Sequence, residues 1–215
     1  IAPWRLAAMR SFSRPVALRP TLVAFRGHSA LSQGEIGARY REGRMADVRE
    51  RIIEHFGNMT DASVGLPARS YFREMGRSRF CLVPAGRYSW TIHLYEAFFF
   101  GCIPVILSDD ALLPFWGLVK WQELSLRLPT SVRMHDLHDV LAGISTERVE
   151  AMHKNLVAAQ CWFDYSRGWD LGDDQPGGCS PYAGLLQSLE MRRRERPSDF
   201  DSAWFWTDSM GRSTG

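Results

Sequence analysis

The sequence predicts an α/β fold in which helices cover both faces of a mostly parallel sheet, and three observations lead to that prediction. Residues 80–83 and 103–107 are apolar runs with no polar break, as in strands that are buried on both faces. Between them lies a helix-like segment that stops at Gly101, so strand, helix and strand form a βαβ unit. The composition is ordinary for a globular domain, with 45% hydrophobic and 23% charged residues among 215. This combination is typical of a Rossmann-like domain.

The segments before this unit are predicted from their periodicity and from the glycines that stop them. Residues 21–25 form a short apolar run followed by Gly27, which predicts the first strand. Apolar residues recur at helical spacing within residues 38–56, so an amphipathic helix is predicted there, ending at Gly57. Residues 70–75 are predicted as a short helix that delivers the chain to the next strand.

The segments after the unit complete the domain. They predict a further strand at residues 123–128 and three helices, at residues 134–143, 146–162 and 181–193. The prolines and scattered arginines of residues 1–20 predict a linker from a missing N-terminal domain. We therefore expect one domain over residues 21–193 and a polar C-terminal tail over residues 194–215.

Charge and hydropathy exclude two classes of partner. The formal charge is only +2, because 26 basic residues are offset by 24 acidic ones, so no nucleic-acid partner is expected. The longest charge-free apolar stretch, residues 97–108, is far shorter than the ~20 residues of a spanning helix. The chain begins with Ile1 instead of Met, so we expect any membrane anchor in a missing N-terminal segment.

The turn after the strand at residues 80–83 is predicted to hold an anion. A helix begins just after Pro84 and Gly86, and either Ser89 or Thr91 can cap it. Its unpaired N–H groups and the positive end of its dipole suit a diphosphate. Glycine at 86 would let a phosphate approach the backbone. Arg87 and His93 can add positive charge.

Glu96 follows His93 by three residues and so lies on nearly the same helical face. A carboxylate in this position can accept both hydroxyls of a ribose, as an acidic residue does in dinucleotide-binding folds. The alternative interpretation is an ordinary βαβ unit in which Glu96 is a surface or capping charge, because a fold alone does not establish a function.

The same segment resembles the exostosin family of inverting glycosyltransferases, which includes animal heparan sulfate polymerases and plant cell-wall transferases. The matching residues run in order from FCLVP at 80–84 through GR at 86–87, LYEA at 94–97, CIPVI at 102–106 and LPF at 113–115 to Trp121. The segment TLVAFRG at 21–27 also looks like the opening strand of the family's domain, and the match extends to about residue 155.

The resemblance implies the C-terminal, donor-binding half of a GT-B glycosyltransferase. That half would hold a nucleotide diphosphate sugar, expected to be a UDP-sugar, for inverting transfer of a hexosyl, glycuronosyl or pentosyl group to a glycan hydroxyl. The residues expected to bind the donor are Arg26, Gly27, Pro84, Gly86, Arg87, Ser89, Thr91, His93 and Glu96. No cofactor and no metal are expected, because the helix dipole and the arginines would neutralise the diphosphate.

One departure from the family concerns His93, where family members usually carry Arg. Arginine is always charged and holds phosphate bidentately, whereas histidine is charged only part of the time near neutral pH. Three interpretations remain open: His93 still contacts phosphate, Arg87 and Arg26 take its place, or donor binding has been lost. A purely structural histidine fits the pattern equally well.

The four cysteines form no C-x-x-C pair, which argues against a zinc site. The resemblance implies a disulfide between Cys81 and Cys102, leaving Cys161 and Cys179 either paired or free. Four buried thiols are the alternative. Asn58 begins an N-glycosylation sequon, and together with the family resemblance it predicts a type II membrane protein of the Golgi or ER lumen.

The resemblance leaves the catalytic residue unknown, because the general base of an inverting reaction could lie outside this chain. Two other functions compete with the enzyme. One is an exostosin-like subunit that cannot bind donor and acts as a scaffold for an active partner, in a homo- or hetero-oligomer. The other is an unrelated α/β nucleotide-binding module.

Overall fold

A computed structural model describes residues 3–41, 46–86, 91–167 and 179–194 of the chain. Within these residues, five strands form one sheet: β1 (Thr21–Arg26), β2 (Ala62–Gly65), β3 (Ser78–Pro84), β4 (Ile103–Leu107) and β5 (Leu126–Leu128). The described ranges also hold eight α-helices around it: α1 (Pro3–Phe12), α2 (Gly34–Arg41), α3 (Ala46–Phe56), α4 (Tyr71–Gly76), α5 (Ile92–Phe100), α6 (Met134–Gly143), α7 (Thr146–Ala159) and α8 (Pro181–Arg194).

All the strands are parallel, in the order β2-β1-β3-β4-β5. Phe80 lies opposite Ile103, and the register continues without a break to Pro84 opposite Leu107. Alternate residues of the strands enter two core clusters, one shared with α1, α4 and α5 and the other with α3 and α6. The predicted fold class, a parallel α/β sheet with helices on both faces, is confirmed, and it is consistent with one half of a GT-B glycosyltransferase.

The predicted βαβ unit is present with nearly the expected bounds. Helix α5 begins after Thr91, whose side chain accepts a hydrogen bond from the His93 N–H, at 3.4 Å. It ends at Gly101, which has a φ of 62° and whose N–H bonds the carbonyls of the last turn. Thr91 is therefore the cap that the sequence predicted as Ser89 or Thr91. Ser89 itself lies outside the described residues.

Three predicted elements differ in the structure, and one strand was not predicted. The single helix predicted at residues 38–56 is two helices, α2 and α3, and residues 42–45 lie outside the described part of the chain. The strand predicted at residues 123–128 is reduced to β5, because Trp121–Glu123 form a 3-10 turn. The helix predicted at residues 146–162 ends at Ala159 in another 3-10 turn. Strand β2 was not predicted, because it is short and its first two residues are only half-buried.

The first twenty residues, predicted as a linker, contain helix α1. Pro3 is compatible with a first helical turn, and Leu6 and Met9 are three residues apart and both buried. Arg19 is also buried, and its guanidinium donates to the carbonyls of Ser78 and Phe100 at 2.7 and 2.9 Å. This segment therefore packs on the domain. Helix α8 reaches Arg194, and the rest of the predicted tail lies outside the described residues.

None of the helices within the described residues is long and apolar enough to cross a membrane.

Candidate nucleotide-sugar site

The strand order places a candidate site between the carboxyl ends of β1 and β3. Strand β2 pairs with one edge of β1, and β3 pairs with the opposite edge of β1. The boundary between β1 and β3 is therefore a topological switch point. Ligands of open α/β sheets bind outside the carboxyl ends of the strands at such a point. The loop after β1 begins at Gly27 and the loop after β3 at Ala85.

Glu96 lies within a cluster of polar side chains from three helices. It is only 3% exposed. Its Oε1 accepts a hydrogen bond from Arg5 Nη2 at 2.5 Å, and its Oε2 accepts one from the Tyr71 hydroxyl. His93 Nδ1 lies 3.6 Å from the same Oε2. Both carboxylate oxygens are therefore engaged by side chains of the protein itself.

The charge state of Glu96 follows from these contacts. Burial alone would raise the pKa of its carboxyl, but hydrogen bonds from His93, Tyr71 and Arg5 outweigh burial and lower the pKa to about 2. Burial and the adjacent Glu96 carboxylate raise the pKa of the Tyr71 hydroxyl far above its ordinary value. Near neutral pH the cluster thus holds a carboxylate anion and a neutral tyrosine.

His93 connects this cluster to the loop after β1. Its Nδ1 lies 3.4 Å from the Tyr71 hydroxyl, and its ring meets the Phe25 ring edge-on, with centroids 5.8 Å apart. A Cβ at Gly27 would lie 3.3 Å from His93 Nε2 and 2.7 Å from the Phe25 ring. His93, Gly27 and Glu96, three of the predicted donor residues, are therefore neighbours.

Arg26, another predicted donor residue, is already paired. Its Nε and Nη2 donate to the two oxygens of Glu74 in α4, at 2.7 and 3.2 Å. Burial opposes the charge of Glu74, but the hydrogen bonds from Arg26 and Ser70 lower its pKa. A Cβ at Gly65 would lie 2.6 Å from Arg26 Nη1, so the arginine crosses the end of β2 on its way to α4.

Pro84 ends β3 and Gly86 follows it, both at the switch point. A Cβ at Gly86 would lie 2.9 Å from Nη2 of Arg49, a buried arginine on α3. Arg87 and Ser89 lie outside the described residues, so their donor contacts stay predictions.

Three residues of this region, Arg5, Tyr71 and Arg49, were not predicted. Arg5 was assigned to a linker, and Tyr71 to a short helix with no assigned role. Arg49 was taken as the polar face of an amphipathic helix. No local signal separates these side chains from ordinary surface residues, because only the fold brings them to the site.

The structure pairs all four cysteines. The disulfide predicted between Cys81 and Cys102 is confirmed, and it joins neighbouring strands with a Cα–Cα distance of 5.6 Å. A second disulfide joins Cys161 and Cys179, resolving the alternatives left open by the sequence. Asn58 is exposed in the turn after α3. In the described ranges, no group of three or more His, Cys, Asp and Glu side chains is arranged for a metal ion.

Comparison with known proteins decides the family. Residues 8–144 match the Exostosin GT47 domain. The chain belongs to the exostosin GT47 family. It is 37% identical over 149 residues to a rice protein (Oryza sativa subsp. japonica) named "Probable glucuronosyltransferase GUT1", an alignment that covers 68% of this chain and 34% of that protein. It is 34% identical over 139 residues to the Arabidopsis thaliana protein "Probable beta-1,4-xylosyltransferase IRX10", covering 63% of this chain and 32% of that one.

The family resemblance inferred from the motifs of residues 80–121 is thus confirmed, and the exostosin relatives carry the names of glycosyltransferases. The chain spans about a third of the length of the curated relatives that it matches.

Proposed function

We propose that this exostosin domain binds the donor of an inverting glycosyltransferase, which moves a sugar from UDP to a glycan hydroxyl. The observation that carries the proposal is the convergence of Gly27, His93 and Glu96 at the β1/β3 switch point, beside the first turn of α5. The named relatives support a glucuronosyl or xylosyl group as the sugar.

The diphosphate would lie at the start of α5. Thr91 caps this helix, and the N–H groups of its first turn point toward the carboxyl edge of the sheet, with the positive end of the helix dipole behind them. His93 would supply a further donor, and Arg87 and Ser89 would supply others. Arg26 would contribute through Nη1, because Glu74 already holds its Nε and Nη2. Stabilising the diphosphate as it leaves is the largest electrostatic contribution that such a domain can make.

Glu96 would hold the ribose through its carboxylate oxygens. Arg5 now donates to Oε1, so a ribose hydroxyl would have to replace the guanidinium at that atom. The exchange substitutes one hydrogen-bond donor for another, and it needs no proton transfer because the low pKa keeps Glu96 ionised. Arg5 is about one-third exposed, which leaves its side chain free to swing toward solvent.

Activation of the acceptor hydroxyl requires a group other than the donor-binding residues. An inverting transfer needs a general base for the acceptor hydroxyl, and this proposal assigns that role to no described residue. It requires no metal or cofactor. We place the protein in the lumen of the Golgi or ER, with any membrane anchor in a segment that precedes this chain. Its expected partners are the UDP-sugar, the glycan acceptor and another exostosin subunit.

Titration calorimetry of the 215-residue chain with UDP tests the proposal. The unsubstituted chain should bind UDP, and Glu96→Gln should abolish detectable binding because the amide cannot accept from both ribose hydroxyls. The matched control is Asp164→Asn. Asp164 is 2% exposed and is held by Arg10 of α1, just as Glu96 is held by Arg5. The control should keep UDP affinity within about twofold.

Two outcomes would contradict parts of the proposal. Full UDP affinity in Glu96→Gln would refute the ribose role of Glu96. No binding by the unsubstituted chain at millimolar UDP would favour the scaffold function, which the engagement of both Glu96 oxygens by protein side chains already supports.

A further inference from the structure

Arg49 is a buried arginine on α3 at the carboxyl edge of the sheet. Only 3% of it is exposed. Its Nε donates to the carbonyl of Ala85 at 3.0 Å and its Nη1 to the carbonyl of His28 at 2.8 Å. Its Nη2 lies 3.5 Å from the carbonyl of Pro84. One guanidinium thus joins the loop after β1 to the loop after β3.

Two further contacts determine where this guanidinium lies. It sits over the Phe25 ring at 5.7 Å from the centroid, the ring that also meets His93 edge-on. Gly86 also lies against it, because a Cβ there would be 2.9 Å from Nη2. A side chain at position 86 would therefore displace the guanidinium or the loop. The glycine at this position makes room for Arg49.

We propose that Arg49 is a positioning residue for the donor site. It sets the separation of the loops after β1 and β3, and through Phe25 it supports the ring of His93. This inference rests on the proposed function, because these two loops are the walls between which the diphosphate would lie. Arg49 itself is not proposed to touch the donor.

Burying a guanidinium is costly unless it is hydrogen-bonded, and apolar side chains of similar volume often stabilise a protein as well or better. Arginine offers what an apolar side chain lacks, namely a rigid planar fork whose donors reach carbonyls on two separate loops at once. A lysine keeps the charge but concentrates it on one nitrogen, so it cannot hold both loops in the same geometry.

The test compares Arg49→Lys with Arg51→Lys. Arg51 is two residues further along α3 and also donates to backbone carbonyls, those of Val132 and Thr130. These carbonyls follow β5, away from the switch point. Arg49→Lys should weaken UDP binding about tenfold, because loops that are no longer held at one separation must be ordered when the donor binds. Arg51→Lys should change the affinity less than about twofold. Melting temperatures, measured alongside, show whether both variants are folded.

A double-mutant cycle with Gly86→Ala tests the same contact from the loop after β3, and its Gly86→Ala arm does not depend on the folding of Arg49→Lys. Gly86→Ala alone should weaken UDP binding, because the new methyl group pushes against Nη2. In the Arg49→Lys background the same substitution should have little further effect, since Nη2 is gone.

Equal losses of UDP affinity in Arg49→Lys and Arg51→Lys would overturn the inference. So would additive effects of Arg49→Lys and Gly86→Ala, or unchanged UDP affinity in Gly86→Ala alone. A chain that fails to bind UDP with no substitution at all would refute the proposed function, and the positioning role would fall with it. The first three outcomes require a wild-type chain that binds UDP, so the two failures are distinguishable.

Discussion

Replacing Glu96 by Gln is the sharpest perturbation of the polar cluster, because it preserves the volume, removes the charge and turns one acceptor oxygen into a donor NH₂ group. In the native state the carboxylate accepts from Arg5 and Tyr71 and lies beside His93. The amide can still accept at one position, but its NH₂ group must face a donor at the other. We expect the variant to fold and to lose stability at neutral pH.

The magnitude follows from the pKa of the Glu96 carboxyl, which is about 2 against an ordinary value of 4.5. A group whose pKa is lowered by folding contributes stability that is fully present above the unfolded pKa and is lost as the pH falls through the folded pKa. A shift of this size corresponds to about 3 kcal/mol at pH 7 and, by the same relation, to about 1 kcal/mol at pH 3.

The assay is urea unfolding of Glu96→Gln and the unsubstituted chain at pH 7, 5, 4 and 3, each followed by tryptophan fluorescence. The difference in unfolding free energy should be about 3 kcal/mol at pH 7 and 5 and should shrink below pH 4.5. Titrating groups that do not contact Glu96 are present in both proteins and cancel in the difference. A gap that stays constant from pH 7 to pH 3, or is absent throughout, would show that the Glu96 charge is not stabilised as described.

Three other substitutions test the site and its surroundings. Arg5→Gln should raise UDP affinity relative to Arg10→Gln in calorimetry, because it removes the side chain that competes for Glu96, and a lower affinity would contradict the exchange. Gly27→Ala should cost about 1–3 kcal/mol in urea unfolding and weaken UDP binding, since its Cβ meets the Phe25 ring, whereas Gly143→Ala has open space and should be near neutral. Secretion from eukaryotic cells should give a glycosylated chain whose mass falls on glycosidase treatment, and Asn58→Gln should abolish that shift.

Most of the helices and the central strands could be predicted from sequence because their signals are local, whereas α1 was assigned to a linker. Strands β3 and β4 are buried on both faces, so each is a continuous apolar run. Helix α5 carries its own cap and stop, Thr91 and Gly101. Strand β2 gives no such signal, because it pairs only with β1 and has two half-buried residues. The strand order was equally out of reach, since it depends on which side of β1 each later strand pairs.

The residues of the candidate site also fall into two groups, those that the local sequence places together and those that only the fold brings in. Thr91, His93 and Glu96 lie within one helix and its cap, so their spacing alone places them together. The side chains that bind Glu96 come from distant, earlier parts of the chain: Arg5 is 91 residues from Glu96, and Tyr71 is 25 residues away. Side chains at these distances meet only after the sheet and helices have packed, and one of them belongs to a segment predicted as a linker.

The glycines at the switch point, Gly27 and Gly86, show that packing can require a glycine where the sequence suggests the approach of a phosphate. A glycine beside a predicted anion site is readily assigned to the approach of a phosphate, as Gly86 was from sequence. In the structure the space that a side chain would need is filled by the protein itself: by Arg49 at Gly86, and by Phe25 and His93 at Gly27. Both glycines therefore serve first to let buried side chains pack against the loops. Under the proposed function, we expect their contribution to donor binding to follow from the loop geometry that this packing produces. A double-mutant cycle with Arg49 can therefore separate the two roles of Gly86, which Gly86→Ala alone cannot do.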